Sequence, residues 1–185
     1  MNIAVFCSSS NRINKKYKEL AFSLGNYIAQ NNHVLVYGGA TGGLMDAVAD
    51  GAHDQNGEII GVIPKSIIEL NRQSAFPSQI IEVGNMSERK ARMQSISDIF
   101  IVLPGSYGTM DEMMDVISAG IVGEHNKKII VINQDGFYNH LLKQIELMQK
   151  ESFIPAKELY SPIIVSTLDQ CTSIIHIEQL HFLHE

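Results

Sequence analysis

The run Ile99-Phe100-Ile101-Val102-Leu103 contains no polar residue, so a strand formed there cannot turn one face to water. It must be covered on both sides, and a sheet covered on both sides needs helices above and below it. The chain supplies them. Short β-branched runs at 2–7, 33–37, 58–63, 80–83, 99–103 and 128–132 alternate with helical apolar periodicities at 15–31, 43–56, 88–97, 109–122 and 139–151. Residues 163–165 read as a last strand and 168–183 as a closing helix, with His176, His181 and His184 scattered along this end of the chain. This alternation predicts an α/β fold, a three-layer sandwich around a mainly parallel sheet.

A chain of 185 residues, 45% hydrophobic and 18% charged, buries one sizeable core, so a single domain over 1–185 is expected. No apolar run reaches the roughly twenty residues needed to span a bilayer, and Met1 to Cys7 has neither the basic start nor the cleavage pattern of a secretion signal. A cytoplasmic protein with no membrane partner is expected. Cys7 and Cys171 lack metal-ligand spacing and are read as packing residues or free thiols. The formal charge of -6 argues against a nucleic-acid partner, which calls for a broad basic face, so an anionic ligand must be caught locally.

Three small-residue turns follow predicted strands: Ser8-Ser9-Ser10, Gly38-Gly39-Ala40-Thr41-Gly42-Gly43, and Pro104-Gly105-Ser106-Tyr107-Gly108. In a parallel α/β sheet such turns gather at one edge, where ligands bind. The third runs into a helix predicted from Thr109. Gly105, Ser106 and Gly108 allow close backbone approach, and the helix start adds unpaired N–H groups, so phosphate is the natural guest. The Gly38 turn lacks the glycine order and acidic partner of a dinucleotide site, and also the lysine of a triphosphatase loop. Neither hydride transfer nor triphosphate hydrolysis fits.

Chemistry-bearing groups flank the strand at 99–103. Downstream stand Asp111, Glu112 and Asp115. With Met110, Met113, Met114 and Ile117 as the packed side of their helix, Glu112 is expected on the flank toward the crevice. Upstream stand Arg89, Lys90 and Arg92, among which spacing alone does not choose an anion ligand. The histidines form no zinc-ligand set, there is no serine nucleophile elbow, and no lysine sits in a Schiff-base setting. Residues 64–79 form the longest irregular stretch, read as a lid or a subunit contact.

Gly38-Gly39-Ala40-Thr41-Gly42-Gly43-Leu44-Met45, Gly61-Val62-Ile63-Pro64, Met86-Ser87-Glu88-Arg89-Lys90 and Pro104-Gly105-Ser106-Tyr107-Gly108-Thr109-Met110-Asp111-Glu112 together resemble the LOG (LONELY GUY) family, from the first strand to about Phe153. The resemblance implies a Rossmann-like fold, a homodimer, and a phosphoribohydrolase that releases free base and ribose 5-phosphate from a cytokinin riboside 5'-monophosphate or AMP. It implies Arg89 and Glu112 as the catalytic pair, Lys90 with Gly105, Ser106, Tyr107, Gly108 and Thr109 around the ribose phosphate, and Asp111 and Ser118 lining the nucleotide site. No metal or other cofactor is implied. Ser106 stands where a second glycine is usual, Ser87 where histidine is usual, Asp46 where glycine follows Leu-Met, and Ser66 where glutamate often follows Ile-Pro. These departures spare the catalytic pair and bear on substrate preference, Ser66 most of all.

Met93, Ile96, Met113, Met114, Ile117 and Ile121 exceed what one sheet face needs, in keeping with the implied dimer. The competing reading is a non-catalytic nucleotide-binding or molybdenum-cofactor carrier on the same fold. Literal lysine decarboxylation, an older label in the family, calls for a pyridoxal-bearing lysine site that the chain does not offer.

Overall fold

Strand and helix alternate along the chain as the apolar runs require. The computed structural model describes residues 1–155 and 160–182. In order, β1 (Asn2–Phe6), α1 (Lys15–Gln30), β2 (Val34–Tyr37), α2 (Gly43–Asp54), β3 (Ile59–Pro64), α3 (Lys65–Glu69) and β4 (Gln79–Val83) are followed by α4 (Met86–Ile96), β5 (Ile99–Val102), α5 (Tyr107–Ile121), β6 (Ile129–Ile132), α6 (Asn139–Lys150), β7 (Ile163–Val165) and α7 (Leu168–Phe182). The seven strands form one sheet in the order β4-β3-β2-β1-β5-β6-β7, with every neighbouring pair parallel. Among the described residues seven α-helices flank it, and the fold is Rossmann-like.

Register assigns each side chain its layer. Ile3 lies opposite Leu35 and Ile99, and Val5 opposite Tyr37 and Ile101. These residues share one face and pack with Leu24 and Ile28 of α1, Leu44 and Val48 of α2, and Ile175 of α7. Their neighbours Ala4, Phe6, Val36, Phe100 and Val102 point the other way, onto Met93 of α4 and Met113 and Val116 of α5. Each large aliphatic side chain so buried contributes about 1.5–3 kcal/mol, which is why the central strands carry no polar alternation. Strand order reverses at β1, with β2 on one side and β5 on the other. A crevice opens there, over the carboxyl ends of the strands.

Three expectations change. The stretch 64–79 is not irregular throughout: it opens with α3 and continues as a strap tied to the turn after β2. The tie consists of Thr41 N–H to Arg72 O at 2.7 Å and Ser74 N–H to Gly39 O at 2.8 Å. The helix predicted from Thr109 starts two residues earlier, at Tyr107. Its packed stripe is Thr109, Glu112, Met113, Val116 and Gly120, one face of the helix, while Met114 is exposed. Glu112 therefore lies within the buried face, not on its flank. Both cysteines are buried free thiols. His184 lies outside the described residues.

Candidate active site

Arg89 reaches the crevice because α4 is pinned at its start. Asn85 Oδ1 accepts from Glu88 N–H at 3.0 Å while Glu88 Oε2 accepts from Gly84 N–H at 2.8 Å, a reciprocal cap that fixes where the helix begins. One residue on, Arg89 turns inward under the sheet edge. Its Nε donates to Val62 O of β3 at 3.1 Å, and its Nη1 stands 2.7 Å from Glu112 Oε1. Both side chains are buried.

The pair is close but imperfect. Glu112 Oε1 has no hydrogen-bond partner with acceptable geometry, so the 2.7 Å contact is an ion pair set off the line of the guanidinium N–H bonds. Burial raises the Glu112 carboxyl above its usual range, and the charge of Arg89 opposes that rise without cancelling it. A buried carboxylate with unused acceptor capacity can take a proton from a group placed beside it. Cys7, at the end of β1, abuts the pair; burial, reinforced by Glu112, pushes its thiol well up, leaving it protonated and inert.

The two glycine turns behave differently. At the N-terminus of α2, Leu44 N–H donates to Ser8 O at 2.8 Å and Gly43 N–H to Asn11 Oδ1 at 3.0 Å, so that turn spends its donors on the loop after β1. Gly42 and Gly43 take φ of 110° and 56°, which glycine alone adopts without strain. At α5 the situation is open. Ser106 precedes the helix without a side-chain cap, and among the described residues the N–H groups of Tyr107, Gly108 and Thr109 have no protein acceptor. A Cβ at Gly108 would meet no atom within 4 Å. The glycine leaves space at a helix N-terminus where unpaired donors and the dipole favour an anion.

A cavity of about 220 Å³ joins these parts, lined by Ser8, Ser9, Gly38, Met45, Arg72, Arg89, Ser106, Gly108, Thr109 and Glu112 among others. Of the residues singled out from sequence, Arg89, Glu112, Ser106, Gly108 and Thr109 thus meet. Gly105 lies beneath them, where an added Cβ would stand 2.0 Å from Thr109 Oγ1, and the Tyr107 side chain is 93% exposed. Lys90 points elsewhere. Its Nζ is 2.9 Å from Asp111 Oδ1 and 3.1 Å from Asp115 Oδ1, and it lines a neighbouring depression between α4 and α5 together with Ser118. Those carboxylates hold the lysine charged.

Arg72 was absent from the sequence reading. It lies in the stretch taken for irregular, and its one available signal was being the sole arginine between Pro64 and Gln79. Tyr138 supports the site from below: its hydroxyl donates to Leu103 O at 2.7 Å and lies against the backbone of Gly105. Among the described residues no cluster of histidine, cysteine or acidic side chains is arranged to hold a metal, and no helix is long and apolar enough to cross a membrane.

Residues 45–175 match the family model described as "Possible lysine decarboxylase". Cytokinin riboside 5'-monophosphate phosphoribohydrolase LOG3 of Arabidopsis thaliana is 40% identical over 152 residues, covering 82% of this chain and 71% of the relative. LOG4 of the same plant, described by the same activity, is 37% identical over 183 residues, covering 99% and 84%. Among solved structures, the molybdenum cofactor binding protein of Rippkaea orientalis superposes with a TM-score of 0.72 at 23% identity, covering 95% of this chain and 94% of that one. The molybdenum cofactor carrier protein of Chlamydomonas reinhardtii gives 0.70 at 19% identity, covering 97% and 96%. At these identities the structural likeness concerns the fold alone.

Proposed function

This chain belongs to the LOG family, and from that premise we propose that it hydrolyses the N-glycosidic bond of an adenine-type ribonucleoside 5'-monophosphate, AMP or a cytokinin nucleotide, to free base and ribose 5-phosphate. The observation that carries this reading is a buried Arg89–Glu112 pair opening into the same cavity as the uncapped N-terminus of α5. The phosphate occupies the N–H groups of Tyr107, Gly108 and Thr109. Its binding energy holds the ribose over Glu112. As the glycosidic C–N bond breaks, its electron pair leaves with the base and positive charge grows on the sugar, which the Glu112 carboxylate stabilises. Water adds its oxygen to the anomeric carbon and gives a proton to Glu112, and that proton passes on to the departing base, which returns Glu112 to its carboxylate form. Arg89 keeps Glu112 ionised and aimed, and contacts the nucleotide.

A carrier needs the crevice but not an ionised carboxylate buried at its floor, so the carrier reading has less support. Decarboxylation through pyridoxal phosphate has less still, because among the described residues no lysine lines the cavity. The protein is proposed to act as a homodimer. Met93 and Met113 are spent in the core, whereas Tyr107, Met114, Ile121 and Val122 leave an exposed apolar stripe along α5 that a second copy can cover. The deciding experiment is incubation with AMP and chromatographic detection of adenine and ribose 5-phosphate in equal amounts; no release of either from AMP or a prenylated AMP overturns the proposal.

A further inference from the structure

Arg72 is, among the described residues, a cation without a carboxylate. Among the described residues no acidic group lies within ion-pair distance of it, although the chain carries a net charge of -6 and its other cavity-lining arginine is neutralised by Glu112. It is nonetheless held in place. Its Nη2 donates to Ser9 Oγ at 3.1 Å and to Thr41 O at 3.3 Å, while its own carbonyl accepts from Thr41 N–H at 2.7 Å. The strap is locked on both sides, by the Ala40–Gln73 bridge and by Ser74 N–H to Gly39 O. Among the described residues, Nε and Nη1 of Arg72 have no protein acceptor. A half-buried guanidinium, fixed through one nitrogen and lining a cavity with donors to spare, is arranged to bind something.

Its position says what. Arg72 is tied to the turns that follow β1 and β2, whereas the open N-terminus of α5 lies over the end of β5. From β2 to β5 is two inter-strand spacings, roughly 10 Å, and the Glu112 carboxylate lies between, near Cys7 just past β1, while Arg89 reaches it from the side of β3 and Gly38. A nucleotide seated with its phosphate on α5 and its anomeric carbon at Glu112 extends its base toward Arg72. We propose that Arg72 grips the leaving base: its guanidinium donates to a ring-nitrogen acceptor and answers the negative charge that arrives there with the electron pair of the breaking glycosidic bond. Guanidinium is donor-only and permanently charged, so it stabilises the departing anion without serving as its proton source.

This inference rests on the hydrolase reading, and the test separates the two. Arg72→Gln and Arg72→Lys, each checked for an unchanged melting transition, are assayed with AMP and with p-nitrophenyl ribose 5-phosphate, whose leaving group stabilises its own charge. Ribose 5-phosphate affinity is measured by calorimetry. Arg72→Gln is expected to lose on the order of a hundredfold in kcat on AMP, only a few-fold on the nitrophenyl substrate, and to keep its ribose 5-phosphate affinity. Arg72→Lys, which retains the charge, recovers part of the AMP rate. Equal losses on both substrates, or a lost affinity for ribose 5-phosphate, overturn the assignment while leaving the hydrolase reading intact. A parent protein that releases no base from AMP and does not bind ribose 5-phosphate overturns both.

Discussion

Gly38 and Arg89 compete for one volume: a Cβ at position 38 would stand 1.8 Å from Nη2 of Arg89. The turn after β2 therefore serves the site chiefly by being absent where the guanidinium lies. Its backbone at Gly38 is not left-handed, so alanine there is a purely steric challenge. Gly38→Ala should displace Arg89 from Glu112, costing about 1–3 kcal/mol of stability and about a hundredfold in kcat/KM on AMP. Denaturant melts and steady-state rates check both; a variant with wild-type rates would show that Arg89 does not need its observed position.

The Arg89–Glu112 pair should be a stability liability kept for chemistry. Removing one buried partner leaves the other charge stranded, so Arg89→Met alone should lose about 3–5 kcal/mol. The double variant Arg89→Met/Glu112→Leu should regain most of that loss, since an apolar pair of similar size asks for no solvation. Urea unfolding of the two variants and the parent tests this, and a double variant no more stable than Arg89→Met would contradict it.

Glu112→Gln keeps shape and removes charge, and should retain nucleotide binding while lowering turnover about a hundredfold or more. The pH profile gives a second handle. Because burial raises the folded-state carboxyl above the ordinary 4.5, the acid limb of kcat/KM should lie above that value, with activity lost as pH falls through it. Arg89 pulls in the opposite sense, so Arg89→Lys, with its charge less well placed, should move the limb further up. An acid limb at or below 4.5 in the parent would remove Glu112 from the role of base.

The layers of this fold were legible in the sequence because unbroken apolar strands and 3.6-residue periodicities leave few alternatives. The placement of Glu112 was not. Met114 and Glu112 are two residues apart, so rotating the stripe by one position exchanges which of them is buried, and hydrophobicity favoured methionine. The structure buries the carboxylate because Arg89 meets it there. Arg72 was invisible for another reason: it arrives through a strap whose docking depends on backbone bonds to Gly39 and Thr41, which carry no side-chain signature. Lys90, adjacent to Arg89 in sequence, points to Asp111 and Asp115 because a one-residue step on a helix turns the side chain by about 100°.

The 5'-phosphate should be indispensable. Without the phosphate the N–H donors at the head of α5 lose their charged acceptor, so adenosine should be cleaved on the order of a thousandfold less efficiently than AMP. Gly108→Ala provides the matching protein change, since a Cβ there meets no protein atom within 4 Å and should not lower the melting transition while raising KM for AMP. Comparable rates on adenosine and AMP would reduce the turn to a structural connection.

His33 should make the fold sensitive to acid. It is buried at the start of β2 with Nε2 unpartnered, and burial, helped by the N-terminal ammonium near Nδ1, lowers its pKa from 6.5 to about 4. A depressed histidine pKa means that the unfolded chain binds the proton more readily than the folded one. Stability is therefore unaffected well above 6.5 and falls as pH drops below it, by at most about 1.4 kcal/mol per pH unit, until the folded-state value near 4 is reached. His33→Gln, which cannot titrate, should flatten this limb while costing some stability at neutral pH. Melting temperatures of parent and variant between pH 7 and 4.5 decide it: parallel curves would show that the acid sensitivity of the fold arises elsewhere.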